Sequence, residues 1–173
     1  MEITFKRLPE VARSDIADLM SHSALRRHMP LLRAAFTELD AAKFVAAKEA
    51  LWAEHGYGPW AFMVDGVFVG WGGLQPENGD PDLALVLQPD HWGLGPPIGR
   101  KIIAEAFDRW HFNSITALLP PSRTREGAMK RLGFRPDGEL DLHGERFLRY
   151  RLHRPDASTI TAIAEPLSVE PPQ

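Results

Sequence analysis

Cysteine is absent from the 173 residues, which removes disulfides, thiolate metal sites and cysteine nucleophiles together. The absence fits a reducing compartment. No apolar run is long enough to cross a bilayer, and the stretch Met1 to Arg7 lacks the charged-then-apolar pattern of a signal peptide. The expectation is a cytoplasmic protein with no membrane partner. Positive charge is not in excess either: 20 Lys and Arg stand against 23 Asp and Glu, a formal net charge of −3. Without a basic field to release counterions, nucleic acid is not the expected partner. The seven histidines show no metal-ligand spacing such as His-x-x-x-His, so no metal is expected. No Gly-x-Ser-x-Gly elbow points to a serine hydrolase.

What remains is ordinary globular material, with 44% apolar and 25% charged residues, enough for one domain with a core of its own. Ile3 and Phe5 alternate with polar residues as a half-buried first strand would. Pro9 suits an early helical position, and Val11, Ile16, Leu19 and Met20 follow at helical spacing, whereas Pro30 interrupts the segment 21–36. Thr37 with Asp40 reads as an N-cap and an acidic third position; the helix behind it stops at Gly56 and Gly58. Residues 60–64 and 67–71 flank Asp65-Gly66, a dipeptide made for a type I′ hairpin turn. Gln75 to Pro81, polar and rich in turn residues, reads as a loop.

Leu83 to Leu87 is an all-apolar strand of the kind found mid-sheet. A glycine-bearing turn follows it, and Ile98, Ile102, Ile103, Ala106, Phe107 and Trp110 then mark one face of a long helix. Such a turn can aim backbone N–H groups and a helix N-terminus at one anionic group. A short strand over 115–119, a helix from about Ser122 to Leu132 closed by Gly133-Phe134, and two strands around Gly138 to Gly144 complete the pattern. The fold class is therefore α/β or α+β, with a strand–helix–strand unit running parallel between Leu83 and Leu119. Residues 1–152 form the domain and 153–173 a C-terminal tail. In the tail, Ile160, Ile163 and Leu167 could dock on the domain or on a second subunit of a homodimer.

The segments 56–61 (Gly-Tyr-Gly-Pro-Trp-Ala), 70–74 (Gly-Trp-Gly-Gly-Leu), 92–95 (Trp-Gly-Leu-Gly) and 131–134 (Arg-Leu-Gly-Phe) occur in an order that resembles the GNAT superfamily of N-acetyltransferases. The likeness is nearer to its RimJ/RimL-type members, which acetylate N-terminal amines of ribosomal proteins. The resemblance implies a mixed, mostly antiparallel sheet with a splayed central parallel strand pair and helices on both faces. It also implies acetyl-CoA as co-substrate and, as acceptor, a small-molecule or peptide amine. Backbone groups of Leu85, Val86 and Leu87 would then meet the pantetheine arm. Trp92, Gly93, Leu94, Gly95 and Ile98 would form the pyrophosphate turn, with Ser122 at a place where the family often carries Asn, and Arg125 near the phosphates.

Two departures from the family pattern stand out. Pro96 and Pro97 each remove a backbone N–H from the turn, and Met129 stands where many relatives place a tyrosine acid. Acetyl transfer to an amine needs a group to take up the ammonium proton. The resemblance makes Asp82 a candidate catalytic residue, since many GNAT members place a glutamate at this start of the central strand. Glu77, also a catalytic candidate, and Asp80 lie on the preceding loop, where they could attract a cationic amine, and His91 is another candidate base. A GNAT-fold module that binds acyl-CoA without catalysis is the alternative reading. A toxin acting on charged tRNA would call for a basic surface, which a chain of net charge −3 does not have.

Overall fold

In the computed structural model, which describes residues 1–32, 34–122 and 126–156, local sequence signals set several element boundaries. Strand β1 (Ile3–Lys6) leads through a 3-10 turn (Leu8–Glu10) to α1 (Arg13–Ser21), the short α2 (Ser23–Arg26) and the long α3 (Glu38–His55). Helix α3 begins at a reciprocal cap: the Thr37 hydroxyl accepts from the Asp40 N–H, and the Asp40 carboxylate accepts from the Thr37 N–H. It ends at Gly56, whose φ of 75° is left-handed.

Strands β2 (Pro59–Val64), β3 (Val67–Glu77) and β4 (Asp80–Leu87) form an antiparallel meander joined by two-residue turns. Asp65-Gly66 and Asn78-Gly79 both have two positive φ angles, as type I′ turns require. The second turn corrects the loop expected over Gln75 to Pro81. Asn-Gly is a strong hairpin dipeptide, but the flanking Pro76 and Pro81 masked it. These two prolines face each other in the register, beyond the last β2 partner at Gly73 and before the β5 partner of Asp82. They thus occupy a two-stranded tip where a missing N–H breaks no ladder to an outer strand.

Past β4 the chain forms a 3-10 turn (Pro89–Leu94) and α4 (Gly95–Ala104), which runs on through a π-helical turn (Glu105–Arg109). Strand β5 (Ser114–Leu119), α5 (Glu126–Arg131), β6 (Arg135–Leu142) and β7 (Glu145–His153) follow. Helix α5 is described from Glu126, and Ser122 lies in a turn ahead of it. At its other end the Phe134 N–H reaches the Met129 carbonyl and the Gly133 N–H reaches the Lys130 carbonyl, the two bonds of a Schellman cap. Arg33, Arg123 and Arg125, and Ile160, Ile163 and Leu167 of the tail, lie outside the described residues.

The seven strands form one sheet in the order β1-β2-β3-β4-β5-β7-β6, antiparallel except for β4 beside β5. Helices cover both faces. On one, Ile16, Leu19 and Met20 of α1 and Ala41 of α3 pack on Ala61, Met63, Phe68 and Trp71. On the other, Ile98 and Ile102 of α4, Phe107 and Met129 pack on Phe62, Leu74, Leu83, Leu87 and Ile115. Glycines bring β3 unusually close to β4. A Cβ on Gly72 would stand 2.4 Å from the Ala84 carbonyl oxygen, and one on Gly70 would stand 2.2 Å from that of Val86.

Candidate active site

The central strands part almost as soon as they meet. Strand β4 pairs with β3 along its whole length, from Asp80 opposite Glu77 to Leu87 opposite Gly70. With β5 it shares one register pair, Asp82 with Thr116. Beyond that pair, residues 83–87 have no ladder to β5, which leaves an opening between the C-terminal halves of the two strands. Backbone polar groups cannot be left unsatisfied at low cost, so such an edge suits a ligand able to hydrogen-bond along it.

Side chains of β4 alternate across this edge. Leu83, Leu85 and Leu87 turn into the α4 core, whereas Ala84 and Val86 pack with the α1/α3 side. Leu87 is buried, so the groups that residues 85–87 can offer a ligand are chiefly peptide groups. The 3-10 turn and the start of α4 stand at the mouth of the opening. The indole N–H of Trp92 donates to the Leu87 carbonyl at 3.0 Å, tying the turn to the end of β4. Leu94 is half-buried, and Ile98 is wholly buried in the core, which leaves only its main chain for any ligand.

Neither Gly93 nor Gly95 has a positive φ, so backbone conformation does not demand glycine at either place. A Cβ on Gly93 would meet nothing within 4 Å, and one on Gly95 only Leu85 Cδ2 at 3.7 Å. The glycines therefore leave open space that the fold does not use. The buried Nδ1 of His91, in the same turn, has no hydrogen-bond partner among the described residues. The Gly95 N–H is already taken by the Trp92 carbonyl, and Pro96 and Pro97 have none. The first three positions of α4 thus offer no free amide to a diphosphate, although the helix dipole still points there. The open edge of β4 suits a chain that carries amide groups, whereas the first turn of α4 is poor in free amide donors.

The polar groups collect at the closed end. Gln75, Asp82, Thr116 and Arg151 are register partners in succession across β3, β4, β5 and β7, so their side chains share one face of the sheet. Asp82 is 5% exposed and accepts a hydrogen bond from the Thr116 hydroxyl at 2.9 Å. Burial, with smaller contributions from the neighbouring Glu77 and Asp80 carboxylates, outweighs the Thr116 hydrogen bond and pushes its pKa up to about 8.

Asp80 is not available to attract a cationic amine. Arg151 grips it through two hydrogen bonds of 3.0 Å and also donates to Ser114 and Asp137. That guanidinium holds the Asp80 carboxyl below the usual range, its hydrogen bonds outweighing partial burial. Glu77, half-buried at the end of β3, accepts no hydrogen bond among the described residues. Among the described residues it is the carboxylate near Asp82 that no side chain engages by hydrogen bond.

Helix α3 contributes Lys48. Its ammonium donates to the Gln75 side-chain oxygen at 2.6 Å and lies 5.4 and 5.3 Å from the ring centroids of Phe44 and Trp71. Burial lowers its pKa, and the Glu77 charge partly opposes that shift. At the far end of β5 the Ser122 hydroxyl sits 3.3 Å from His28 Nδ1, which places the chain after α2 beside the open end of the strand pair. Met129 is buried in the α4-side core, so its position holds no acid and points away from solvent. Sequence reading named Asp82 and Glu77 but not Lys48, Gln75, Thr116 or Arg151. Thr116 carried the one usable signal, a polar residue inside an otherwise apolar strand.

Comparisons with known proteins agree with this architecture. The profile of the acetyltransferase (GNAT) domain matches residues 4–135. A GNAT-family acetyltransferase from Bordetella pertussis is 17% identical, with a TM-score of 0.71 over 86% of this chain and 94% of that one. The aminoglycoside acetyltransferase AAC(6')-Ib, in its complex with coenzyme A, is 16% identical, with a TM-score of 0.73 over 88% of this chain and 95% of that one. A spermidine N-acetyltransferase SpeG chimera, from Vibrio cholerae and hSSAT, gives 10% identity and a TM-score of 0.64 over 88% of this chain and 96% of that one. At such identities the structural matches speak for the fold, while the profile covers most of the sequence. With the strand pair open beyond Asp82 and α4 starting at its mouth, the conclusion is direct: the chain belongs to the GNAT family of acetyltransferases.

Proposed function

We propose that the protein transfers the acetyl group of acetyl-CoA to a primary amine, either a small amine or a peptide N-terminus, by direct attack. The observation that carries this reading is the opening of β4 from β5 just beyond Asp82, with the start of α4 at its mouth. Residues 85–87 present peptide groups to the pantetheine arm, and the turn of Trp92, Gly93, Leu94 and Gly95 lies toward the diphosphate, with Ser122 across the opening. The Ile98 side chain has no part in this.

In the reaction the amine nitrogen forms a bond to the thioester carbonyl carbon, the C–S bond breaks, and the CoA thiolate leaves. Glu77 attracts the ammonium form of the acceptor. Asp82, once ionised, takes the proton that must leave before nitrogen can attack. The thiolate then receives a proton from water or from the amine's own second proton, since Met129 supplies none. Positioning beside the thioester provides much of the remaining acceleration.

The amine class finds support in the structural neighbours, whose acceptors include aminoglycosides and spermidine by name. A RimJ/RimL-like N-terminal acetyltransferase is the finer version of the reading. The second reading, a CoA-binding module without catalysis, draws on the two prolines at the start of α4 and on buried Met129. Thiol release from acetyl-CoA, measured with panels of small amines and peptide N-termini, separates the two. Release above the no-acceptor rate supports the enzyme; CoA binding by calorimetry with no release from any acceptor supports the module.

A further inference from the structure

Resting on the transferase reading, we infer that Lys48 selects the acceptor, and that the acceptor is an amine carrying a carboxylate close to it, not a polycation. The inference starts from two opposite charges held apart. Lys48 and Glu77 are near enough to influence each other electrostatically, yet no ion pair joins them among the described residues. Lys48 is instead held by the neutral Gln75 side chain and by the faces of Phe44 and Trp71. An ammonium has three donors, and among the described residues hydrogen bonding uses one of them, to Gln75. The Glu77 carboxylate likewise accepts no side-chain hydrogen bond among the described residues.

Gln75 and Glu77 are two residues apart on one strand and so share a face, with about 7 Å between their Cα positions. Gln75 is also the register partner of Asp82, which brings the Lys48 ammonium to the same end of the site as the proposed base. A small zwitterion answers both charges at once: its ammonium meets Glu77 and then Asp82, and its carboxylate takes the remaining donors of Lys48. Each end would be held by a charge-assisted hydrogen bond. A polyamine or aminoglycoside would instead bring a second ammonium toward Lys48, a like-charge encounter that discriminates against it.

The test compares α-amino acids with the amines made by removing their carboxyl group, alongside peptides with and without an acidic residue next to the N-terminus. Spermidine serves as the polycation. For the wild-type protein the ratio of kcat/KM, carboxylated over decarboxylated acceptor, is expected to exceed unity by roughly tenfold or more. In Lys48→Met that ratio is expected to fall toward unity. Preference confined to peptides with an acidic neighbour would support the inference, with the peptide side chain as the source of the carboxylate.

A wild-type ratio near unity, a preference for spermidine, or a ratio unchanged in Lys48→Met would each overturn the assignment while leaving the transferase reading intact. Absence of transfer to every acceptor would overturn both. Should Lys48→Met fail to fold or to bind CoA, the wild-type ratio decides alone.

Discussion

Thr116 donates to the Asp82 carboxyl at 2.9 Å, and these same two residues are the one register pair between the parallel strands. The hydrogen bond therefore marks the vertex from which β4 and β5 diverge. It also explains how a carboxyl that is 5% exposed persists in the sheet, because the buried acid has a fixed donor.

Asp82 ties stability to pH. Its pKa is pushed up to about 8 in the folded protein, against about 3.9 in an unfolded chain. Between those values the native state keeps a proton that the unfolded state has lost, so Asp82 lowers stability progressively as pH rises from about 4 to about 8. Asp82→Asn keeps an oxygen to accept from Thr116 and removes that slope. The Tm of the variant relative to wild type should thus be higher at pH 9 than at pH 5; a constant difference would contradict the assignment. In the proposed reaction, kcat should climb toward a plateau with an apparent pKa near 8, and the Asn variant should lose this limb.

Pro96 and Pro97 predict donor binding that can be improved. Restoring an N–H at either place, in Pro96→Ala or Pro97→Ala, offers the diphosphate one charge-assisted hydrogen bond. Binding of CoA should tighten by about tenfold. Isothermal calorimetry reads this directly. An unchanged Kd in both variants would mean that the diphosphate does not lie at the start of α4.

Two glycines should answer the same substitution in opposite ways. Gly72→Ala drives a Cβ to 2.4 Å from the Ala84 carbonyl oxygen, a contact that only backbone movement relieves. A loss of about 2 kcal/mol or more in urea unfolding is expected. Gly93→Ala meets no atom within 4 Å and should leave Tm unchanged or slightly raised. Its effect should fall instead on CoA affinity, which the added methyl weakens if the open space belongs to the cofactor.

Arg151 should matter for stability in a pH-dependent way. It holds Asp80 ionised, so the stabilisation is present above pH 4 or so and fades as acid protonates the freed carboxyl. Arg151→Met should lower Tm by several degrees at pH 7 and show a smaller further loss between pH 7 and pH 3 than wild type. Equal acid sensitivity in the two proteins would count against the Asp80 pairing.

The sequence revealed elements where the signal was local and the site only where it was written along one strand. Thr37 with Asp40, Asp65-Gly66 and Gly133-Phe134 each determine their own geometry within six residues, and all three appear as expected. The tip at Asn78-Gly79 went unread because prolines break strands only where a neighbour needs their N–H. That depends on where β2 and β5 stop, which is a tertiary fact. Asp82 could be named because, by resemblance, it stands where many GNAT members carry a glutamate at the start of the central strand. Its buried state could not, since burial comes from β5 and from the helices on that face. Gln75, Thr116 and Arg151 are brought into one row by register across four strands, and Lys48 reaches it from a helix. No spacing in a one-dimensional pattern encodes that convergence.

The divergence at Thr116 also divides the molecule for folding. On one side, β2, β3 and β4 close through two-residue turns; on the other, β6 and β7 close through His143-Gly144 and β7 then joins β5. The two halves meet in the sheet at a single ladder pair, reinforced by Arg151 gripping Asp80. Across such a seam few backbone hydrogen bonds couple the two halves, and the shared α4-side core carries the rest of the coupling. Amide exchange should therefore show the β2–β4 meander and the β5–β7 block opening with separate free energies, with the boundary running through the site where chemistry is proposed. A ligand bridging β4 and β5 would fuse the two units, and protection would rise on both sides of the seam together.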